Sequence, residues 1–388
     1  MSNDRAFRRQ LQSRREFLGR AGLTVGGMAF ASPFLAACGS DTKSSGTGAV
    51  TQDTKNLYFA NWPAYIDTAT VGLFEKATGI SMKYTEEIND NDELFAKIKP
   101  VLSKGKTIDQ DLIAPTFWMA SRLIKLGWVD KLPLDKIPNA KNLRSDLQKP
   151  TWDPTGEYSL PWESGFAGIA YNKSVTGRDL TKIDDLWDPK FKGKVAMLTE
   201  KRDTLGLIAL SQGKDNTKPT AKMFDEAMNI LDTNVKSGQI GKFTGNDYIS
   251  DLAQGNLAAC VGWSGDIFQL SKDNTNLKFV IPASGGTLWS DVMVVPKGSN
   301  GLDTAAQWMN YYYDPVNAAR VVAGAPYYSP VAGVPDELRK LGGDAAAIAD
   351  NPLVFPTAAS LKLLHSFGVL SDADEETLDT EFSKVQGK

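Results

Sequence analysis

DLIAPTFWMASRLIKLG, residues 111–127, decides the fold. DLIAP is a short, continuously apolar run of the kind that forms a buried strand. Thr116 then precedes an amphipathic helix over FWMASRLIKL, stopped by Gly127 where a left-handed residue belongs. The same strand-then-helix unit recurs upstream. LYFANW (57–62) reads as a strand, and residues 68–78 read as a helix with apolar positions at Val71, Leu73, Phe74 and Ala77 before Gly79. ISMKYTE (80–86) is a second strand and DELFAKIKPVL (92–102) a second helix. Alternating strands and helices of this length predict an α/β protein with a largely parallel sheet.

Downstream, a Pro-rich irregular section runs from Pro133 to Pro161. SGFAGIAYN (164–172) opens a second unit as a strand, followed by a strand at GKVAMLT and helices over LGLIAL and AKMFDEAMNILDTNV. NLAACVGW, KFVIP and the VMVVP of GGTLWSDVMVVP (285–296) are further strands, and helices return with TAAQWMNYYY and PVNAARVVAG. The chain thus leaves a first lobe near residue 160 and returns near 290. The expected division is residues 56–160 plus about 292–345 for lobe 1, and 161–291 plus a C-terminal segment for lobe 2. In such folds ligand sites gather at the carboxyl ends of strands and between lobes.

The chain has 388 residues and a net charge of −3, and its first 37 residues carry six Arg against Asp4 and Glu16. The remainder is therefore mildly acidic, which disfavours nucleic acid as a partner. RRQLQSRREFLGRAGLTVGGMAFASPFLAAC has the layout of a secretory signal. Arg14–Arg15 with Glu16, Phe17 and Leu18 resembles a twin-arginine export signal. Leu35-Ala36-Ala37-Cys38 resembles a bacterial lipobox, which implies cleavage before Cys38, lipidation of its sulfur and anchoring to a membrane. Residues 38–55 then follow as the lipidated Cys and a flexible Gly/Ser/Thr tether. The other cysteine, Cys260, lies in an apolar run and reads as a buried hydrophobe.

Aromatic and acidic residues collect at strand ends. Trp62 and Tyr65 end one strand, and Thr116, Phe117 and Trp118 end another. Trp263 and Asp266 follow VGW, Trp289 and Asp291 stand at the mouth of VMVVP, and Tyr327 and Tyr328 lie in GAPYYSP. On an extended chain residues 289 and 291 face the same way. Rings attract organic cations, and a desolvated ammonium needs anionic partners. Walls of rings with acids at the ends suit a slim diamine or polyamine.

From about Asn56 onward the chain resembles the spermidine/putrescine-binding proteins of bacterial ABC importers. The blocks that carry the resemblance are LYFANWPAYI, DLIAPTFWMASRLIKLG, YSLPWESGFAGIAYN, IDDLWDPKFKGKVAMLT, VGWSGD and LWSDVMVVP. The resemblance implies a two-lobed periplasmic-binding-protein-like fold of type II that closes on a polyamine and docks on a permease, as a monomer and without a cofactor. It places Trp62 and Tyr65 on the first aromatic wall, Thr116 at a position that is often Ser, and Trp118 at one that is often Tyr. Trp263 with Asp266, and Trp289 with Asp291, match paired rings and acids, and Tyr327 falls near a family tyrosine. Asp266 and Asp291 are the expected ammonium anchors. Two departures bear on ligand length. Glu200 and Asp203 lie in TEKRDT, where the register of the expected acids is open, and Glu163 stands where relatives often carry an apolar or aromatic residue. Glu163 is thus either a substitute anchor facing the cleft or a solvated loop carboxylate.

Other readings compete with this one. A basic amino acid, a quaternary amine or a sugar could also use aromatic walls, and a carboxylated ligand would demand an arginine, for which Arg202 is the nearest. A hydrolase would need Ser264 as nucleophile, but Asp266 replaces the second glycine of G-x-S-x-G, and the sole histidine, His365, reads as packing on a helix. No catalytic or metal-binding constellation is legible.

Overall fold

The computed structural model describes residues 51–148 and 150–387. β1 (Asn56–Asn61) is the centre of a three-stranded sheet, with β2 (Ser81–Glu86) and β3 (Leu112–Ile113) parallel to it on either side. α1 (Thr70–Thr78) links β1 to β2, α2 (Asn91–Leu102) links β2 to β3, and α3 (Phe117–Lys125) follows β3. Gly79 ends α1 at φ 74°, where a Cβ would be strained. Asp90 starts α2 by accepting the Glu93 N–H at 2.7 Å. The buried stripe of α1 is narrower than its pattern predicts: Phe74 is fully buried, whereas Leu73 is exposed.

The irregular section forms three short 3₁₀ turns between Leu134 and Leu147. β4 (Leu160–Asn172) follows, a 13-residue strand buried at every position. It belongs to a second sheet of seven strands, built with β5 (Val195–Leu198), β6 (Ile240–Thr244), β7 (Ala259–Trp263), β8 (Leu277–Val280), β9 (Gly286–Met293) and β10 (Leu364–Ser366). This sheet is mixed, not largely parallel. β5 runs parallel to β6 and β7, but β4 is antiparallel to β7, β8 and β9. The helices that matter here are α4 (Lys201–Ser211), α5 (Ala221–Lys236), α6 (Tyr248–Gln254), α7 (Ser264–Asp273), α8 (Leu302–Tyr312), α9 (Pro315–Gly324) and α10 (Asp372–Val385). His365 lies in β10 opposite Thr287, not on a helix.

Two lobes result, and the chain crosses between them at β4 and β9. Isolated bridges pair Ile113 with Val294 and Thr116 with Asp291, so the end of β9 reaches the first sheet. After the crossing, α8 and α9 pack back onto α1, and α8 also onto β1. Rings fill the α8 contact: Trp308 meets Phe74 of α1 at 5.2 Å and Phe59 of β1 at 5.9 Å, and Tyr312 meets Trp162 of β4 at 4.3 Å between ring centroids. The C-terminal segment returns to the second lobe through β10, which pairs with β9, and α10, which packs on α5.

Candidate functional site: an aromatic and acidic cleft

Between the lobes lies a solvent-open cleft with about 470 Å³ of free space, the solvent at its mouth included. Both lobes line it. Trp62 and Tyr65 come from the turn after β1, where Ala64 takes a left-handed conformation at φ 54° that brings both rings to the same side. The Trp62 indole N–H donates to the Ala114 carbonyl at 2.8 Å, which fixes its plane. Thr116 and Trp118 come from the start of α3, and Trp263 from the end of β7. Trp289 and Asp291 lie within β9, which starts earlier than its apolar run suggests, and they do share a face. Tyr65, Trp289 and Tyr327 form one cluster of rings, 4.8–6.4 Å apart, and Trp62 and Trp263 form an edge-to-face pair at 6.5 Å.

Two glycines seat these rings. A Cβ on Gly165 would lie 2.4 Å from the Trp289 ring, and one on Gly265 would lie 2.5 Å from the Tyr327 ring. Absence of a side chain at these two positions is what lets the rings lie back against the wall.

Three acids reach the wall. Asp291 accepts from the Thr116 hydroxyl at 2.7 Å. Asp203 accepts from the Trp263 indole N–H at 2.9 Å and the Thr287 hydroxyl at 2.6 Å. Glu200 accepts the Asn91 backbone N–H at 2.7 Å and its carboxamide N–H at 2.9 Å. Burial disfavours the charged form of each. It lifts Asp291 to about 7, against the hydrogen bonds from Thr116 and Tyr65, and Asp203 to about 6, against those from Thr287 and Trp263. Glu200 is raised well above the usual range by burial and by the nearby charges of Asp90 and Asp92. Three buried carboxyls that cannot comfortably ionise are waiting for positive charge.

One cationic side chain lines the cleft, Arg202, and it is already engaged. Its guanidinium pairs closely with Glu375 and donates to the Gly368 carbonyl at 3.2 Å. It also lies 4.8 Å from the Trp118 ring centroid, and the Lys201 ammonium lies 4.5 Å from the same ring.

Two residues expected at the ligand stand behind the wall instead. Asp266 is buried away from the cleft, with one oxygen taken by the Tyr327 hydroxyl and the other by the Tyr248 hydroxyl, each at 2.6 Å. Tyr248 in turn accepts the Trp263 backbone N–H at 2.9 Å. Asp266 therefore orients two wall residues, and Asp203 takes the cleft-facing place expected of it. Glu163 is neither a solvated loop carboxylate nor on the wall: it is fully buried in β4, accepts the Tyr312 hydroxyl at 2.9 Å, and is raised well above the usual range by burial. Pro63, Asn246 and Phe367 also line the cleft and carried no local signal in the sequence. Cys38 and the export signal lie outside the described residues. Among those described, no group of three or more His, Cys, Asp or Glu could hold a metal ion, and no helix is long and apolar enough to cross a membrane.

A family model for bacterial extracellular solute-binding proteins matches residues 69–356. The chain belongs to that family. It is 27% identical over 349 residues to the spermidine/putrescine-binding periplasmic protein 1 of Haemophilus influenzae, covering 89% of this chain and 93% of that one. It is 29% identical over 332 residues to the putrescine-binding periplasmic protein PotF of Escherichia coli, covering 80% and 86%. In fold, this solute-binding protein superposes on the spermidine/putrescine ABC transporter substrate-binding protein PotD of Streptococcus pneumoniae with a TM-score of 0.68 at 24% identity, covering 86% of this chain and 99% of that one. The architecture is thus the two-lobed type II periplasmic-binding fold.

Proposed function

We propose that this solute-binding protein captures a polyamine, putrescine or spermidine, between its lobes and hands it to the permease of an ABC importer. The observation that carries this is the pairing of three desolvated acids, Asp203, Asp291 and Glu200, with rings on both walls of one slim cleft. Trp62, Tyr65, Trp118, Trp263, Trp289 and Tyr327 cover the methylenes, Thr116 orients Asp291, and Asp266 and Glu163 act from behind. Closure expels water, and each ammonium–carboxylate attraction grows as the local dielectric falls. The curated relatives named for polyamines support the same ligand class.

We take lobe 1 as residues 56–160 with about 292–345, and lobe 2 as residues 161–291 with the C-terminal segment. The protein acts as a monomer outside the cytoplasm. A twin-arginine-type signal exports it, and a lipid on Cys38 anchors it through the tether of residues 39–55. No step of capture calls for catalysis.

Arg202 on the wall invites a carboxylated amine, but its engagement with Glu375 argues for the bare polyamine. Calorimetric titration of residues 39–388, stripped of ligand by unfolding and refolding, tests the choice. The panel is putrescine, cadaverine, spermidine and spermine, with lysine, betaine and maltose as controls. Saturable binding of one amine alone is expected. Binding of lysine in preference to every diamine and polyamine, or of none of the amines by folded protein, overturns the proposal.

A further inference from the structure

One contact joins the two lobes behind the acids that capture the ligand. Asn91 and Asp92 open α2, between β2 and β3 of the first sheet. Glu200 and Lys201 cap and open α4, between β5 and β6 of the second. These two consecutive pairs meet across the lobe boundary. Asn91 meets Glu200 through two hydrogen bonds, at 2.7 and 2.9 Å. Asp92 meets the fully buried Lys201 ammonium at 2.7 Å, and Asp379 of α10 meets the same ammonium at 2.7 Å.

The inner pair is more than a tie. The Asn91 carboxamide is fully buried, and every polar atom on it is used. Its oxygen accepts the Thr116 backbone N–H at 3.0 Å. One nitrogen donates both to Glu200 Oε1 and to the Thr116 hydroxyl oxygen, each at 2.9 Å. The Thr116 hydroxyl then has its proton left for Asp291 Oδ1 at 2.7 Å. Only a carboxamide offers two N–H donors and an acceptor in one planar group. Asn91 therefore links two acids of the cleft, and it does so from the other side of the lobe boundary to Glu200. Glu200 Oε1 takes both donors from Asn91, while Oε2 receives no hydrogen bond among the described residues.

We infer that Asn91 is a positioning residue that couples ligand capture to lobe closure, holding Glu200 by Oε1 across the boundary while Oε2 takes a ligand ammonium, with Asp92–Lys201 as the outer half of the same clasp. This rests on the amine-binding reading. Lobe opening must break both halves, whereas a ligand arriving at the fraction of ligand-free lobes that already stand open meets neither. The clasp thus acts on escape of the ligand more than on its arrival.

The test reads residues 39–388 in two ways. Cysteines introduced at the exposed Lys76 of α1 and Lys222 of α5 carry spin labels that report the lobe-to-lobe distance without ligand, and Cys260 is too buried to label. Stopped-flow mixing with putrescine and spermidine gives the association and dissociation rates. Asn91→Ala is expected to lengthen or broaden the ligand-free distance and to raise the dissociation rate about tenfold, with association within about twofold. Glu200→Gln keeps an oxygen that Asn91 can reach, so it should keep the parent distance while losing affinity. Asp92→Asn, at a side chain 40% exposed, removes the ionic half with little risk to folding and should also lengthen the distance.

Parent distance and parent dissociation rate in folded Asn91→Ala overturn the inference. Should Asn91→Ala not fold, an unchanged distance in Asp92→Asn overturns it. A parent protein that binds no amine removes the polyamine reading instead, and the distance measurement then decides the clasp alone.

Discussion

Asp291 and Asp188 are both aspartates, yet they are expected to behave differently. Asp188 accepts from the Lys190 N–H and from Arg178 at a surface turn, whereas Asp291 is buried on the cleft wall. Asp291→Asn should weaken amine binding by tenfold or more, on the scale of about 1.5–3 kcal/mol for a charged hydrogen bond, and Asp188→Asn should leave it unchanged. Equal calorimetric affinities would remove Asp291 from the site. Gly165→Ala and Gly265→Ala probe the rings from behind. Each added methyl must push Trp289 or Tyr327 forward into the space the ligand needs, so binding should weaken in both variants while circular dichroism stays that of the parent. The acids also set a pH response. Asp203 and Asp291 titrate near 6 and 7 when folded, above the ordinary 3.8, because burial penalises their charge. Each therefore favours the ligand-free fold fully below about pH 4 and loses that contribution as the pH rises towards 7. Ammonium groups bind the ionised acids, so affinity should move the other way and increase between pH 5 and 8, with protons released on binding. Melting temperature against pH, and calorimetry in buffers of different ionisation enthalpy, read the two trends separately.

At the level of elements, α1 depends on one large side chain. Phe74 is its only fully buried ring, set edge-on to Trp308, and Phe74→Ala should lower the unfolding free energy by about 3–5 kcal/mol in urea titration. That dependence was partly legible, since the 3.6-residue period marks Phe74 but cannot tell it from Leu73, which faces solvent. The strand-and-helix order of the first lobe was legible throughout, because each unit is punctuated by a cap or a glycine. Strand direction in the second sheet was not. Antiparallel β4 reads as the same apolar run that a parallel strand would give, and only its partners reveal its sense. The start of α4 shows why the acids near TEKRDT stayed open. From Leu198 to Leu205 the strand could yield to the helix at several points, and each choice turns different side chains to the cleft. With Glu200 as cap, residues 200 and 203 fall three apart on one helical face, so both acids reach the wall. The position of Asp266 behind the wall was hidden for a different reason. Its place after β7 is right, but two tyrosine hydroxyls from distant segments reach it first, and no local pattern announces them.

At the level of the whole molecule, occupancy and stability should rise together. A ligand that binds only the folded form adds about 2.7 kcal/mol to the unfolding free energy at a hundredfold excess over Kd, and the melting temperature rises accordingly. The molecule also has an order of assembly written into its connectivity. The strands and first helices of lobe 1 are near the N-terminus, but the α8–α9 hairpin that covers Phe59, Phe74 and Trp162 is encoded after the whole of β4 to β9. A growing chain therefore emerges with its first sheet complete and its apolar side uncovered. It cannot seal that lobe until residues 302–324 have left the ribosome. Contacts so far apart in sequence form slowly, and the interval exposes rings to aggregation. Synthesis cut short before α8 should yield insoluble fragments, and chaperone dependence should end abruptly as that hairpin becomes available.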